Sequence, residues 1–533
     1  MTLKRLILGL LTIAVLFVVS LSLIGSWGEP QIQSRLELYQ TNLLLHAAEW
    51  QGEIGDVSSG KSAREALIGT EPIQAAQKQY QELRKQAQTN LEKTRSQIEQ
   101  SQKPDSTPSP AGEAPLKVTA NPDRPDYPSQ QPLQASINQL EQLINELDLR
   151  LGILQARQGQ TEEALTTWKA LIDRPTTETG KEAVAKTAAV SIGLWSNPPV
   201  IIPDAQELIQ KNLDGWFRYQ ALNQLYTFQQ RQAALAKLQA AEQQIAQQAV
   251  VKLAIVGALP TLGFLVGVGL VIFLVAQRLI KGKQSLLSQN SDVSWSTPWD
   301  AETVWQVFVV GFFSMQLLVS ILLLPVVFRL LNLQPSTFDL RARAFSVLVS
   351  YLLVALGGVL VVYFSVKSFL PLPEGWFRFD LLGNWFLWGL GGYFVALPLV
   401  IAVSLINQFL WQGQGGSNPL LSLALEGKDG VAIAIFFVTA AIAAPLFEEF
   451  LFRGFLLPSL TRYMPVWGAI LASSLLFAVA HLSLSEVLPL TTLGIILAVV
   501  YTRSRNLLAP MLLHSLWNSG TLLSLFILGS GSS

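Results

Sequence analysis

The stretch Pro-Leu-Phe-Glu-Glu-Phe-Leu-Phe-Arg at residues 445–453 puts two adjacent carboxylates and a guanidinium at the close of a long apolar run, residues 431–444. Such a run predicts a membrane helix. A charged side chain near the bilayer centre costs about 2.5–3.5 kcal/mol even on a lenient insertion scale, so we expect these charges to have a function. On a helix, Glu449 and Arg453 share one face, while Glu448 points about 100° away from Glu449. The two carboxylates can therefore do different jobs.

Two further polar clusters follow in the C-terminal apolar region. His481 ends the run that begins at Phe477, and His514 lies four residues before Asn518 inside another apolar run. A spacing of four places His514 and Asn518 on one helical face. The whole chain has only three histidines, and two of them are here. These clusters therefore predict a polar site within membrane helices.

The ordered patterns Glu-Glu-x-x-x-Arg, Phe-x-x-x-His and His-x-x-x-Asn, on successive apolar segments, resemble the CPBP superfamily. This is the type II CAAX-prenyl-protease and bacteriocin-processing group, also called the Abi family. The resemblance covers roughly residues 380–528; each pattern alone is weak, but the ordered set is specific. It implies an all-α, multi-spanning membrane core with endopeptidase activity.

Hydrolysis of an amide needs an activated water, a proton donor for the leaving amine, and donors for the developing oxyanion. The resemblance implies that Glu448 and His481 activate the water, and that His514 and Asn518 hold the oxyanion. Glu449 and Arg453 would orient and support these groups. The predicted catalytic residues are Glu448, Glu449, Arg453, His481, His514 and Asn518.

A bound metal is the alternative chemistry. Glu448, His481 and His514 are the candidate ligands, because two histidines and a glutamate can hold a catalytic zinc ion with water in the fourth position. The compact helical zinc signature HExxH is absent. The resembling family is labelled as metalloproteases, yet a metal-free glutamate mechanism has also been proposed for it. A mechanism with a divalent metal such as zinc and a metal-free mechanism are therefore both compatible with the sequence.

Composition indicates an integral membrane protein with a soluble portion. Half of the residues are hydrophobic, 14% are charged, and the mean hydropathy is +0.37. The formal net charge is zero, so nothing indicates a nucleic-acid partner. The chain has no cysteine, which excludes disulfides, thiolate metal sites and a cysteine nucleophile.

Charge flanking the first two apolar runs predicts the topology. Lys4 and Arg5 precede an apolar run at residues 6–25, which we interpret as an uncleaved anchor within residues 1–26. Basic residues follow the next apolar run, 253–276. Because basic residues mark cytoplasmic flanks, we expect a cytoplasmic N-terminus and a non-cytoplasmic location for residues 27–250.

The exported portion, residues 27–250, is predicted to be helical and soluble. Residues 101–134 are rich in Pro, Ser and Asp and predict a disordered linker. Residues 151–165 resemble the core of one tetratricopeptide unit, with a degenerate echo at 221–235. A repeat array would hold a peptide or protein, including a substrate of the membrane core. An ordinary helical hairpin domain without a groove is the alternative.

About nine membrane spans are predicted in all. Residues 251–380 would supply additional membrane helices, and residues 381–533 the CPBP-type protease core. Alternation of the spans puts Glu448 at the cytoplasmic end of its span, 431–447. One loop disagrees with this topology, because its arginines would be exported: Arg329, Arg341 and Arg343. The predicted spans are residues 6–25, 253–276, 304–328, 345–366, 385–406, 431–447, 466–480, 487–502 and 507–528.

The functional hypothesis is an intramembrane endopeptidase. It would hydrolyse peptide bonds of a membrane-associated or lipid-modified protein or peptide with water activated by Glu and His. Two other classes are considered. One is a catalytically idle membrane scaffold that holds partners through the exported domain. The other is a transporter whose buried carboxylates relay protons; inverted internal repeats would favour it, and the sequence shows none.

Overall fold

The computed structural model describes residues 2–27, 32–52, 65, 67–102, 130–174, 179–411, 414–416 and 429–529. These residues contain helices and no β-strand, which confirms the predicted all-α fold. The helices are, in order, α1 (Leu3–Ser26), α2 (Ile32–Ala48), α3 (Pro72–Gln102), α4 (Gln130–Arg157), α5 (Thr161–Ile172), α6 (Thr179–Trp195), α7 (Ala205–Asn212), α8 (Gly215–Phe228), α9 (Gln232–Gln284), α10 (Ala301–Leu330), α11 (Leu340–Phe369), α12 (Trp385–Trp411), α13 (Gly430–Leu460), α14 (Val466–Val479), α15 (Leu484–Ser504) and α16 (Leu508–Leu528).

The chain forms two compact units, Met1–Tyr39 with Val251–Gly531, and Gln40–Val250. In the second unit, the turn between α4 and α5 has Gly159 at a φ of 81°, a conformation that favours glycine. A Cβ on Gly152 would lie 2.2 Å from Nε1 of Trp168, so glycine lets these two helices touch. The tetratricopeptide-like array stays a prediction. Most of the predicted linker at 101–134 lies outside the described residues.

Among the described residues, eight helices are long and apolar enough to cross a membrane: α1, α9, α10, α11, α12, α13, α15 and α16. The remaining predicted span, residues 466–480, corresponds to α14, which is apolar but has 14 residues. At 1.5 Å per residue it is about 21 Å long, shorter than the bilayer core of about 30 Å. The protein is therefore an integral, multi-pass membrane protein with eight long helices and one short one.

The predicted end of the central span was wrong. We expected it to stop at residue 447, with Glu448 at its cytoplasmic end, but α13 continues through both carboxylates to Leu460. Two π-helical stretches, Val438–Ala443 and Phe450–Leu456, flank the Glu448–Glu449 pair. Such wide turns occur often at functional sites. The carboxylates therefore lie in the interior of a long, locally widened helix.

Contacts between loops bring together the N-terminus and the connections that follow α9, α11, α13 and α15. We name this set of helix ends the Trp295 end. Arg5 pairs with Glu302 at 2.7 Å, which joins the N-terminus to the start of α10. The main-chain N–H of Trp295 donates to Thr461 Oγ1 at 3.1 Å. Nδ2 of Asn506 donates to a carbonyl of the loop between α11 and α12 at 2.6 Å. The indole N–H of Trp295 also donates to the carbonyl of Gly375 in that loop at 3.2 Å, so the N-terminus and four connections lie together.

The opposite set of helix ends is named the Ser485 end. The main-chain N–H of Ser485 donates to the carbonyl of Gly415 at 3.1 Å. Ser26 Oγ, at the end of α1, accepts from the adjacent main-chain N–H of residue 484 at 3.2 Å. Arg341 pairs with Asp429 at 2.5 Å, which joins the start of α11 to the start of α13. The short α14 runs from the Trp295 end to this end, so the chain passes between the two ends nine times.

Aromatic packing fixes α13 against its neighbours. Phe452 is buried, and its ring meets Phe308 and Phe312 of α10 edge-on, with centroids 5.4 and 5.5 Å away. It meets Phe477 of α14 in the same way at 5.4 Å. Edge-to-face pairs at this spacing are favourable beyond the area that they bury. This cluster brings α14 beside the carboxylates of α13.

Candidate active site

A buried ionic cluster lies at the centre of the first unit. One oxygen of Glu449, Oε1, accepts from Nη1 of Arg453 at 2.8 Å and contacts Nδ1 of His514 at 2.9 Å. Glu449 and Arg453 are fully buried. Their predicted pairing across one helical turn is confirmed. Breaking a buried pair is costly because one charge is left alone, so each member of the cluster depends on the others.

Arg453 is also held from its other side. Its Nη2 donates to the carbonyl of Gly494 at 3.0 Å, and its guanidinium lies 4.6 Å from the centroid of the Phe477 ring. The same ring meets His481 and His514 edge-on, at 4.9 and 5.7 Å. Phe477, the aromatic residue of the pattern that ends at His481, therefore contacts three of the predicted site residues.

Glu448 points away from that cluster, as the helical geometry predicts. Its Oε1 accepts from the hydroxyl of Tyr351 on α11 at 3.2 Å. Its Oε2 is buried and has no hydrogen-bond partner among the described residues. A buried carboxylate oxygen without a partner is costly. Oε2 of Glu449 also lacks a partner among the described residues, but only Glu448 lines the cavity described below, so its Oε2 is the free carboxylate acceptor there.

The orientation of His481 follows from the end of α14. Its Nδ1 lies 2.8 Å from the carbonyl oxygen of Phe477. A carbonyl only accepts, so Nδ1 carries the proton, and in the neutral ring Nε2 keeps its lone pair. Leu482 follows at a φ of 58°, in the left-handed region. This turn ends the helix and leaves the imidazole at its terminus.

The wide turn at Val438–Ala443 binds two side chains of α16. Nδ2 of Asn518 donates to the carbonyl of Ala440 at 2.8 Å, and the hydroxyl of Ser515 donates to Ala441 at 2.5 Å. A π-helical stretch breaks the regular ladder and makes carbonyls available to side chains. Nδ2 of Asn518 has a second N–H that this contact does not use.

Four of the six predicted catalytic residues line one cavity of about 970 Å³: Glu448, His481, His514 and Asn518. Glu449 and Arg453 are not among its lining residues. Glu449 is bonded to His514, which lines the cavity, and Arg453 is bonded to Glu449. Polar side chains are spread over the wall, which is unusual inside apolar helices. They include Ser22, Ser26, Gln316, Ser346, Ser350, Thr439 and Thr521.

The candidate metal ligands do not form a ligand group. Among the residues that the structure describes, no three His, Asp or Glu side chains are placed to hold a metal ion. Nδ1 of His514 contacts Glu449 and Nδ1 of His481 contacts a carbonyl, so Nε2 is the nitrogen of each ring that stays available to a metal. Zinc therefore stays a prediction from the resemblance, and no step of the reaction is assigned to it.

Sequence reasoning missed two contributors to the site. Tyr351 lies on α11, outside the region of the three motifs, and its only signal was a tyrosine within an apolar helix. The other is α1, treated as a simple anchor, which supplies Ser22, Gly25 and Ser26 to the cavity wall. Both contributions depend on how distant helices pack, which no local pattern encodes.

Comparison with known proteins identifies the segment that carries the site. Residues 430–520 match the family described as type II CAAX prenyl endopeptidase Rce1-like. The Bacillus subtilis protein named "Putative membrane peptidase YdiL" is 26% identical over 140 residues, covering 26% of this chain and 56% of that protein. The Staphylococcus aureus membrane-embedded CAAX protease MroQ is 28% identical over 137 residues, covering 25% of this chain and 54% of MroQ.

An uncharacterized 24.3 kDa protein of Escherichia coli is 37% identical over 103 residues, which are 18% of this chain and 48% of that protein. The chain thus spans about half the length of these curated relatives. No solved structure matches. All six predicted site residues fall within the family match. Residues 430–520 of this chain therefore form a domain of the Rce1-like CAAX endopeptidase family.

Proposed function

We propose that this protein is an intramembrane endopeptidase that cleaves membrane-associated proteins or peptides with water activated by Glu448. The family match and the peptidase relatives support a membrane peptidase. The observation that carries the finer proposal is the free Oε2 of Glu448 in a cavity shared with His481, His514 and Asn518. Binding of the substrate by the exported domain stays a prediction.

In the first step, Glu448 acts as general base. A water in the cavity gives a proton to Oε2 of Glu448, while Nε2 of His481 accepts a hydrogen bond from the same water. The water oxygen forms a bond to the carbonyl carbon of the peptide, and the C=O π electrons move to the oxygen. When the C–N bond breaks, the proton held by Glu448 passes to the departing nitrogen. The products are a carboxyl group and an amine.

The oxyanion formed in that step needs donors. We assign Nε2 of His514 and the second N–H of Asn518 to this role. His514 already donates through Nδ1 to Glu449, so it can donate through Nε2 only as an imidazolium. Two carboxylates, Arg453 and a protonated His514 together carry no net charge, which lowers the cost of burying them.

Replacing Glu448 by Gln tests the proposal. The amide keeps the size of the side chain and its bond to Tyr351 but cannot take a proton. General acid–base groups contribute about 10²–10⁴-fold, so we expect cleavage of a membrane-inserted reporter peptide to fall by that factor while the protein stays folded. Glu374→Gln, at an exposed position in the loop between α11 and α12, is the matched control. Cleavage by Glu448→Gln at the wild-type rate would contradict the proposal. Absence of cleavage by the wild type would favour the scaffold or transporter.

A further inference from the structure

The active-site cavity reaches only one end of the helix bundle. Its wall includes Ser26, Ser483 and Glu486, which belong to the Ser485 end. Among the described residues, none of its lining residues comes from the connections at the Trp295 end. Phe452 and Leu493, the lining residues of α13 and α15 nearest that end, are buried. The cavity therefore opens toward the Ser485 end and is closed toward the Trp295 end.

Basic residues distinguish the two ends. The Trp295 end and its flanking helix turns carry Lys4, Arg5, Arg278, Lys281, Lys283, Lys367, Arg378, Arg462, Arg503 and Arg505. Among the described residues, the Ser485 end and its flanking helix turns carry Lys252, Arg329, Arg341 and Arg343. An excess of Lys and Arg in short loops marks the cytoplasmic side. The Trp295 end is therefore the cytoplasmic one, and the three arginines that contradicted the predicted topology are outnumbered.

We infer that the active site opens to the non-cytoplasmic side of the membrane, so that the substrate is a segment of a membrane-inserted polypeptide exposed on that side. The cleavage rests on the function proposed above; the orientation does not. A substrate presented from the cytoplasm would instead meet the Trp295 end, where the indole N–H of Trp299 donates to Ser459 and Arg462 donates to the carbonyl of Thr297.

The depth of the cavity limits the segment that can enter. Thr439, the first lining residue of α13, precedes Glu448 by nine positions, a distance of about 14 Å along a helix. An extended chain advances about 3.3 Å per residue, so about four extended residues span that depth. The polar side chains of the wall can accept or donate hydrogen bonds to the backbone of such a segment. The substrate class is therefore an extended, extracytoplasmic stretch close to a membrane span.

Single cysteines test the orientation directly, because the natural chain has none. Thr521→Cys places a thiol on the cavity wall, at an exposed position one turn beyond Asn518. Ser294→Cys places one on an exposed residue of the Trp295 end. Each variant of the full chain is treated with a membrane-impermeant maleimide in sealed right-side-out vesicles, before and after permeabilisation. We expect Thr521→Cys to react in intact vesicles and Ser294→Cys only after permeabilisation.

Two reporters complete the experiment. Each carries the same cleavable segment next to one membrane span, on the non-cytoplasmic flank in one and on the cytoplasmic flank in the other. We expect loss of the first reporter only. The inference is overturned if Thr521→Cys reacts only after permeabilisation, if it reacts from neither side, or if only the cytoplasmic reporter is cut. Correct labelling with neither reporter cut would overturn the substrate class and, with an inactive wild type, the proposed function, but leave the orientation standing.

Discussion

At the scale of single residues, the contact of Tyr351 with Glu448 gives the first prediction. Tyr351→Phe removes the hydroxyl that donates to Oε1 at 3.2 Å and leaves the base less firmly oriented. A hydrogen bond to a charged group contributes about 1.5–3 kcal/mol, so we expect kcat to fall by about 10–100-fold with KM little changed. Tyr363→Phe, at an exposed tyrosine on the same helix, should leave kcat unchanged. An equal loss in both variants, or a matching loss of thermal stability, would show that Tyr351 does not position the base.

The two side chains that bind the wide turn of α13 give the second prediction. Asn518 lines the cavity, whereas Ser515 bonds the neighbouring carbonyl and is not a lining residue. Asn518→Ala should lower kcat by about 10²–10³-fold, as loss of an oxyanion donor does elsewhere. Ser515→Ala removes an anchor of the same kind and should change kcat little. If both variants lose activity together with stability, the role of Asn518 is structural.

The sequence was sufficient for residues within a motif and insufficient for residues that meet through packing. Glu449 and Arg453 are one helical turn apart, so their pairing follows from the period of the helix. The bond from Glu449 to His514 joins positions 65 residues apart. Tyr351 meets Glu448 across 97 residues. The Glu449–His514 and Tyr351–Glu448 contacts both depend on which helices become neighbours, and the hydropathy pattern does not determine that.

At the scale of elements, α13 shows why hydropathy misplaced a boundary. A charged pair usually ends a membrane span, because an unpaired charge in the bilayer is costly. Here Glu449 pairs inside the protein with Arg453 of α13 and is bonded to His514 of α16, while Glu448 accepts from the hydroxyl of Tyr351 on α11. The helix therefore continues to Leu460. Only knowledge of the partner on α16 would have justified extending the predicted span.

The first helix offers the third prediction. Gly25 lines the cavity, and a Cβ there would meet nothing within 4 Å; Gly9, on the same helix and away from the cavity, is equally open. Gly25→Phe should fill part of the cavity and lower kcat/KM for a peptide substrate several-fold without loss of stability. Gly9→Phe should leave kcat/KM unchanged. Steady-state kinetics and thermal unfolding in detergent measure both effects, and equal kinetics for the two variants would remove α1 from the substrate path.

At the scale of the whole molecule, contacts between loops resolve a conflict in the predicted membrane orientation that the basic residues of single loops leave open. Taken one loop at a time, Arg329, Arg341 and Arg343 contradict the predicted orientation. Grouped by contacts, the ends of the helices form two sets, and the basic residues concentrate in one of them. Arg341 is also paired with Asp429, and the guanidinium, together with main-chain N–H donors of α13, holds the pKa of that carboxyl below its usual range. The carboxyl partner thus offsets one of the conflicting charges.

The last prediction concerns the metal. The resemblance left zinc open, with Glu448, His481 and His514 as ligands. In the part of the chain that the structure describes, these residues form no ligand group. A catalytic zinc ion would need all three side chains to converge on one point. We therefore expect purified wild-type protein to cleave its substrate at the same rate after treatment with a chelator and to hold no stoichiometric zinc by elemental analysis.

The matched control for that experiment is His514→Gln. In the metal-free mechanism this variant loses the imidazolium that donates to the oxyanion, so kcat falls and zinc content does not change. If zinc is the activator, the wild type should contain about one equivalent, the variant much less, and the chelator should silence the wild type reversibly. Reversible loss of activity on chelation, with zinc restoring it, would contradict the assignment of the water to Glu448 and His481 alone. It would place Nε2 of His514 on the metal, with Nδ1 still bonded to Glu449.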